Sequence, residues 1–103
     1  MLEYIFTERY MMIICSAILV YDQTKYVHQP KNIDLGFVVC GRRHHNCIQT
    51  LSLIDIKWKE FPYIQGFLTS DDNFVDRVSA VKIAFDCGQI KEIKDKLFSE
   101  DLY

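Results

Sequence analysis

The residues best equipped for chemistry fall in two stretches. The first, GRRHHNCI at positions 41–48, sets Arg42, Arg43, His44 and His45 ahead of an apolar helical period carried by Cys47 or Ile48, Leu51 and Ile54. Cations at a helix start oppose a macrodipole that is already positive there, so the arrangement costs stability until an anion arrives. Free backbone N–H groups and arginines, each able to grip two oxygens at once, would then form a phosphate site. The same residues fit a plainer reading, in which the side chains extend into water or pair with carboxylates of a neighbouring subunit. The second stretch, residues 65–103, carries Phe67, Thr69, Phe74, Asp76 and Arg77 ahead of a second helix, with Ser99 and Asp101 near its end. Phe67 could stack a base, Asp76 or Asp101 could accept a ligand hydroxyl, and Arg43 with Arg77 could neutralise phosphate.

These residues make a better binding set than a catalytic one. The motifs contain no Gly-rich phosphate loop, no metal-ligating His/Asp array and no Ser or Cys nucleophile with a base beside it. His44 and His45 are of the residue type suited to a general acid or base, which keeps a phosphodiesterase or glycosidase as one alternative; a structural interaction protein, whose apolar tail only seals a subunit interface, is the other. Cys40, His44, His45 and Cys47 have the right types for zinc, but their spacing matches no standard ligand pattern. No metal and no cofactor is therefore expected.

The elements that must position these groups can be read locally. Residues 11–20 form an apolar, β-branched run half the length of a bilayer span, which reads as a buried strand. Asp22 to Lys25 make a turn, Tyr26 and Val27 begin a returning hairpin strand, and residues 28–35, with Pro30, Asn32 and Asp34, form a loop or irregular edge. Phe37, Val38 and Val39 are a further short strand. Residues 55–63, with Trp58 packed inward, make an irregular connection. Residues 65–77 then read as a strand, a polar turn and a return leading into a helix capped by Asp76 and closed by Gly88. Ala80, Ile83, Ala84 and Cys87 form that helix's apolar stripe. The fold class expected is α+β: a small N-terminal β-hairpin or sheet packed with two short helices, a single domain over residues 1–103.

Composition excludes several function classes. Twelve basic and fourteen acidic residues give a net charge of -2, so neither a nucleic-acid polymer nor an anionic membrane is expected as partner. The acidic residues in positions 1–10 and the missing cleavage pattern argue against a secretory leader. Four cysteines without paired spacing read as reduced, buried small hydrophobes, which suits a cytoplasmic protein. The aromatic content and the apolar tail Leu97, Phe98, Leu102 and Tyr103 suggest surface buried between subunits of a homo-oligomer.

Three blocks taken together, GRRHHNCI, QGFLTSDDNFVDR with the following GQI, and the closing LFSEDLY, resemble the first Thoeris anti-defence family of phage proteins. The resemblance covers about the last two thirds of the chain. It implies a sponge that sequesters cyclic ADP-ribose isomers, glycocyclic ADP-ribose in particular, without cleaving them, and in some members the cyclic di- or trinucleotides of CBASS immunity. It further implies a small α+β subunit, assembled into dimers or hexamers with pockets at subunit interfaces, working in the cytoplasm of the infected bacterium. Residue by residue, the matching positions are Arg43, His44 and His45, then Gly66 and Phe67, then Phe74, Val75, Asp76 and Arg77, and finally Ser99 to Tyr103. Residues 28–39 depart from the family pattern as an insertion or lengthened hairpin.

Overall fold

The computed structural model describes residues 11–102, so the expectations for residues 1–10 and for Tyr103 lie outside the described residues. Within them the chain is α+β, as its patterning predicts. Four antiparallel strands, β1 (Ile13–Val20), β2 (Phe37–Gly41), β3 (Tyr63–Thr69) and β4 (Phe74–Asp76), lie in the order β2-β1-β3-β4. Helix α1 (His44–Ile54) follows β2, and α2 (Arg77–Asp86) follows β4 directly. Strand β1 is flanked on both sides and buried from Ser16 to Val20, which explains why its sequence shows no polar alternation.

Register decides which residues share a face. Ser16 opposes Phe67, Ile18 opposes Val39 and Gln65, and Phe67 opposes Val75, and both helices cover this side. Here Ile18, Val20 and Val39 pack with Cys47, Leu51 and Trp58, while Ile13 and Phe67 pack with Ala80, Val81, Ala84 and Leu97. On the other side Ala17, Leu19 and Phe74 are buried by Ile33, Val38 and Leu68. A third layer is thus supplied by the loop of residues 28–35.

That loop corrects the expected hairpin. Tyr26 and Val27 form no returning strand; Lys25 makes a single bridge to Gly36, and β1 takes β2 as its antiparallel partner instead. Left-handed backbone at Gln23 and His28 bends the chain out of strand geometry on both sides of the pair. Asn32 then makes two bonds to β4, its Oδ1 accepting from Phe74 N–H at 2.8 Å and its Nδ2 donating to Phe74 C=O at 2.7 Å. Gln89 does the same for Ile13, at 2.9 and 2.8 Å. Each amide completes the backbone pairing of a strand end that would otherwise lack a partner.

The expected unit of turn, strand and helix is present in residues 65–88. Asp76 Oδ1 accepts from Ser79 N–H at 2.7 Å, an N-cap. At the other end Gly88 adopts φ 84°, with its N–H on Phe85 C=O and that of Gln89 on Ala84 C=O, closing α2 in a Schellman turn. Gly66 is required for a different reason: a Cβ there would lie 2.1 Å from the carbonyl oxygen of Val75. Trp58 packs inward as expected, 2% exposed and edge-on to Tyr63.

The tail and the cysteines depart from expectation. Leu97 is fully buried against α2, and Leu102 packs beside it, so the tail seals this chain's own core rather than only a subunit interface. Cys47 is buried, but Cys40 is exposed, because its β2 position points away from the helices. Among the described residues no helix is long and apolar enough to cross a membrane.

Candidate functional site

The first residues of the two helices meet over β3. His44, opening α1, is 6% exposed; its Nε2 lies 2.7 Å from Gly66 C=O and its ring stands edge-on to Phe67 at 5.0 Å. Gly66 pairs with Asp76, so Arg77, opening α2, lies beside it. Its Nη2 donates to Gln65 Oε1 at 2.8 Å, and its Cζ sits 4.9 Å over the Phe98 ring. Leu97 N–H donates to Arg77 C=O at 3.0 Å, holding the tail against the helix start. Three segments distant in sequence thus converge on Gln65, Gly66 and Phe67.

Two polar atoms in this cluster, His44 Nδ1 and Arg77 Nε, are buried without a hydrogen-bond partner among the described residues. Each omission costs on the order of 1–3 kcal/mol, so a folded chain retains such atoms seldom and for a reason. Among the described residues no carboxylate forms an ion pair with Arg77. Burial holds the His44 pKa below its usual value; the bond to Gly66 C=O opposes this, the charge of Arg77 assists it, and that of Glu100 opposes it. The ring is therefore neutral near pH 7. Beside the site, Lys94 lies 5.5 Å from the Phe98 ring and pairs with Asp101 at 2.8 Å. The cluster is a shielded site beside a cation, with both helix dipoles adding to its positive character.

The residues expected to bind a ligand divide accordingly. His44 and Arg77 come together, with Ser99, buried, in the adjoining tail turn. Phe67 corrects its expected role: at 0% exposure its faces are covered by the core, leaving none for a base. Phe74 is 6% exposed and belongs to the opposite side of the sheet. Thr69 is buried in the β3–β4 turn, where its hydroxyl donates to Asp71 and accepts from Asn73 N–H. The Asp76 carboxylate is committed to its helix cap. Asp101 accepts from Lys94 and from Phe98 N–H; burial pushes its pKa up, but these bonds and the lysine charge outweigh that and hold it below the usual range.

The arginine cluster is arranged differently from expectation. Arg42 is exposed and its C=O accepts from Ser16 Oγ at 3.1 Å, while Arg43 is the N-cap residue of α1 and donates its N–H to Asn46 Oδ1 at 3.1 Å. His45 is exposed on the far side of the same turn from His44. The zinc set does not assemble, since Cys40 faces away from His44 and Cys47 across the sheet, and no group of metal-ligating side chains occurs among the described residues. Gln65 and Phe98 join the site without having been singled out for it, and Glu100 joins it from the tail segment Ser99 to Tyr103 that the resemblance covers. Only the pairing of β3 with β4 and the return of the tail bring them near Arg77, and neither is visible in local spacing.

The fold and site define a small α+β protein with a cationic cluster at the meeting of two helix starts. A family model described as the phage T4 y16D protein matches residues 12–103, and the chain belongs to that phage family. No curated protein and no solved structure matches it.

Proposed function

We propose that this phage-family protein is a non-enzymatic binder that captures an anionic nucleotide signal, a cyclic ADP-ribose isomer or a cyclic oligonucleotide, and sequesters it in the cytoplasm of the infected host. The observation that carries this reading is the convergence of both helix starts on residues 65–67, with a guanidinium that has no carboxylate partner. An anion would complete that charge, and the half-exposed Phe98 ring beneath Arg77 offers an aromatic surface next to it. The three blocks that resemble the anti-defence sponges meet at this cluster, which further supports the reading. Among the described residues no side chain is hydrogen-bonded to the neutral His44 ring as a general acid–base pair for cleavage would be.

The test is to incubate the protein with a cyclic ADP-ribose isomer, remove it by ultrafiltration, release the ligand by heating and identify what is released. Depletion followed by recovery of intact ligand is expected, and Arg77→Gln should abolish depletion. Altered ligand would make the protein an enzyme; no depletion would discard the reading.

We further propose self-association. Leu53, Ile54 and Ile56 are 89%, 63% and 84% exposed at the end of α1, a contiguous apolar patch that a second copy would cover. Light scattering coupled to size exclusion should report a dimer or larger assembly, and a monomer for Leu53→Glu combined with Ile56→Glu. A monodisperse wild-type monomer at micromolar concentration would overturn this.

A further inference from the structure

The two unpartnered atoms of the cluster make opposite demands on a ligand. A carbonyl oxygen has no hydrogen to give, so at 2.7 Å from Gly66 C=O the hydrogen must reside on His44 Nε2. In a neutral ring this leaves Nδ1 with a lone pair, an acceptor that only a donor can satisfy. Arg77 Nε–H is the reverse case, a donor that needs an acceptor. A bare anion has only acceptors to offer and can answer Arg77 but not His44.

We infer that the site selects a ligand presenting a hydroxyl donor beside an anionic oxygen, the pattern of a ribose phosphate, with the hydroxyl given to His44 Nδ1 and the anion to Arg77. The inference rests on the binding role proposed above and specifies its chemistry. Both atoms are covered in the empty chain, so access requires the segment over them to move. The tail turn of Phe98 and Ser99–Asp101 lies near both residues, with the Phe98 ring against the Arg77 guanidinium and the charge of Glu100 acting on His44, and is the segment that would move. The charged groups acting on His44 are Arg77 from α2 and Glu100 from the tail, while β3 contributes only the Gly66 carbonyl and the Phe67 ring. Protonating the ring would turn the Nδ1 acceptor into a donor and set a second cation beside Arg77, which narrows the advantage of a hydroxyl donor and favours a bare anion.

The test compares three probes whose own charge is constant between pH 5 and 8: adenosine 3′,5′-cyclic phosphate, its 2′-deoxy analogue and sulfate, titrated calorimetrically into the full chain. At pH 7.5 the ribose form should bind about tenfold more tightly than the deoxy form, the size of one net hydrogen bond. That preference should weaken at any pH low enough to protonate His44, where sulfate binding should instead strengthen. His44→Gln keeps an amide to donate to Gly66 C=O but moves the acceptor from the Nδ1 position to its own Oε1, so it should diminish the preference at pH 7.5; near-ultraviolet circular dichroism would establish that it folds. Equal affinity for the ribose and deoxy forms, no binding of either at millimolar concentration, or an undiminished preference in His44→Gln overturns the inference. Capture of intact cyclic ADP-ribose isomer alongside any of these would leave the sponge reading standing, whereas a His44-dependent hydroxyl preference without such capture would overturn only the sponge reading.

Discussion

The two faces of the sheet spend their polar groups differently. On the loop-covered face lies a hollow of about 520 Å³ lined by Tyr21, Gln23, Asn32, Ile33, Asp34, Leu35 and Pro62, continued by one of about 280 Å³ toward Phe74 and Asp76. Three of its polar groups are already committed: Asn32 to β4, Asp34 to Lys25 at 2.8 Å, Asp76 to α2. The helix-covered face instead holds two buried atoms with no hydrogen-bond partner among the described residues, His44 Nδ1 and Arg77 Nε, the latter on a guanidinium with no carboxylate partner among them. A concave surface without unmet chemistry is packing; unmet chemistry under a thin cover is a site awaiting a partner. The candidate site is thus picked out by unmet hydrogen bonds and not by shape.

The largest test of this contrast is structural. Phe67→Ala should destabilise the chain by about 3–5 kcal/mol and Leu97→Ala by about 2–5 kcal/mol, read by urea unfolding, because both side chains are fully buried on the helix side. Loss of binding in either variant would then reflect unfolding. Phe98→Ala is the cleaner probe of an aromatic contact, since that ring is 39% exposed. If Phe67→Ala were nearly neutral, the helix side would not be the main core and the comparison would fail.

A smaller effect is expected on the loop side. Asn32→Ala removes both bonds to Phe74 and should cost about 1–3 kcal/mol, yet leave anion binding at Arg77 intact because the sheet separates the two. Measured together, unfolding and ligand titration should therefore move independently here, whereas Arg77→Gln should move binding far more than stability. An Asn32→Ala variant that folds normally but loses binding would transfer the site to the hollow.

How much of this was legible in the sequence follows from the range of each interaction. The cap at Asp76, the closing Gly88, the stripe of Ala80, Ile83 and Ala84 and the β-branched run of β1 are set by neighbours within a turn or two, and they were readable. The arginine cluster was located at its helix start, but spacing could not tell that His44 would turn inward while His45 turned out. That follows from Cys47 and Leu51, which share His44's side and are drawn into the core. Phe67 looked like a platform because its type fits one, and only its register opposite Ser16 and Val75 exposes it as core. Asn32 and Gln89 were illegible for the same reason: their partners lie 42 and 76 residues away.

Stability should also depend on pH through the site. The buried His44 has a pKa below the ordinary 6.5, so the unfolded chain takes up a proton before the folded one does. Its contribution is therefore complete above about pH 6.5 and is lost as pH falls toward the folded value. Thermal melts should show a midpoint decreasing between pH 7 and pH 5, with a shallower decline for His44→Gln. A wild-type decline unaltered in that variant would assign the loss to the carboxylates, among which Asp71, held low by its bond from Thr69, titrates only at lower pH.

The smallest effect is one of reactivity, and it sharpens the comparison from the loop side. Cys40 opposes Ala17, which sets Cys15 diagonally across from it on the face away from the helices. A hydrogen bond from the Cys40 thiol lowers the Cys15 pKa to about 7 against the upward push of burial, and the same bond raises that of Cys40. Cys47, on the helix side, is raised to about 11 by burial. Since the thiolate is the reactive form, iodoacetamide should label Cys15 first, with a pH midpoint near 7, while Cys47 resists labelling in the native chain. Removing the donor by Cys40→Ala should move the Cys15 midpoint upward without measurable change in anion binding, because the pair and the cationic cluster lie on opposite sides of the sheet. Peptide mass mapping after brief alkylation reads both sites at once. Early modification of Cys47, or loss of ligand binding on alkylation of Cys15 alone, would mean that the two faces communicate and that their separation is not the organising feature of the molecule.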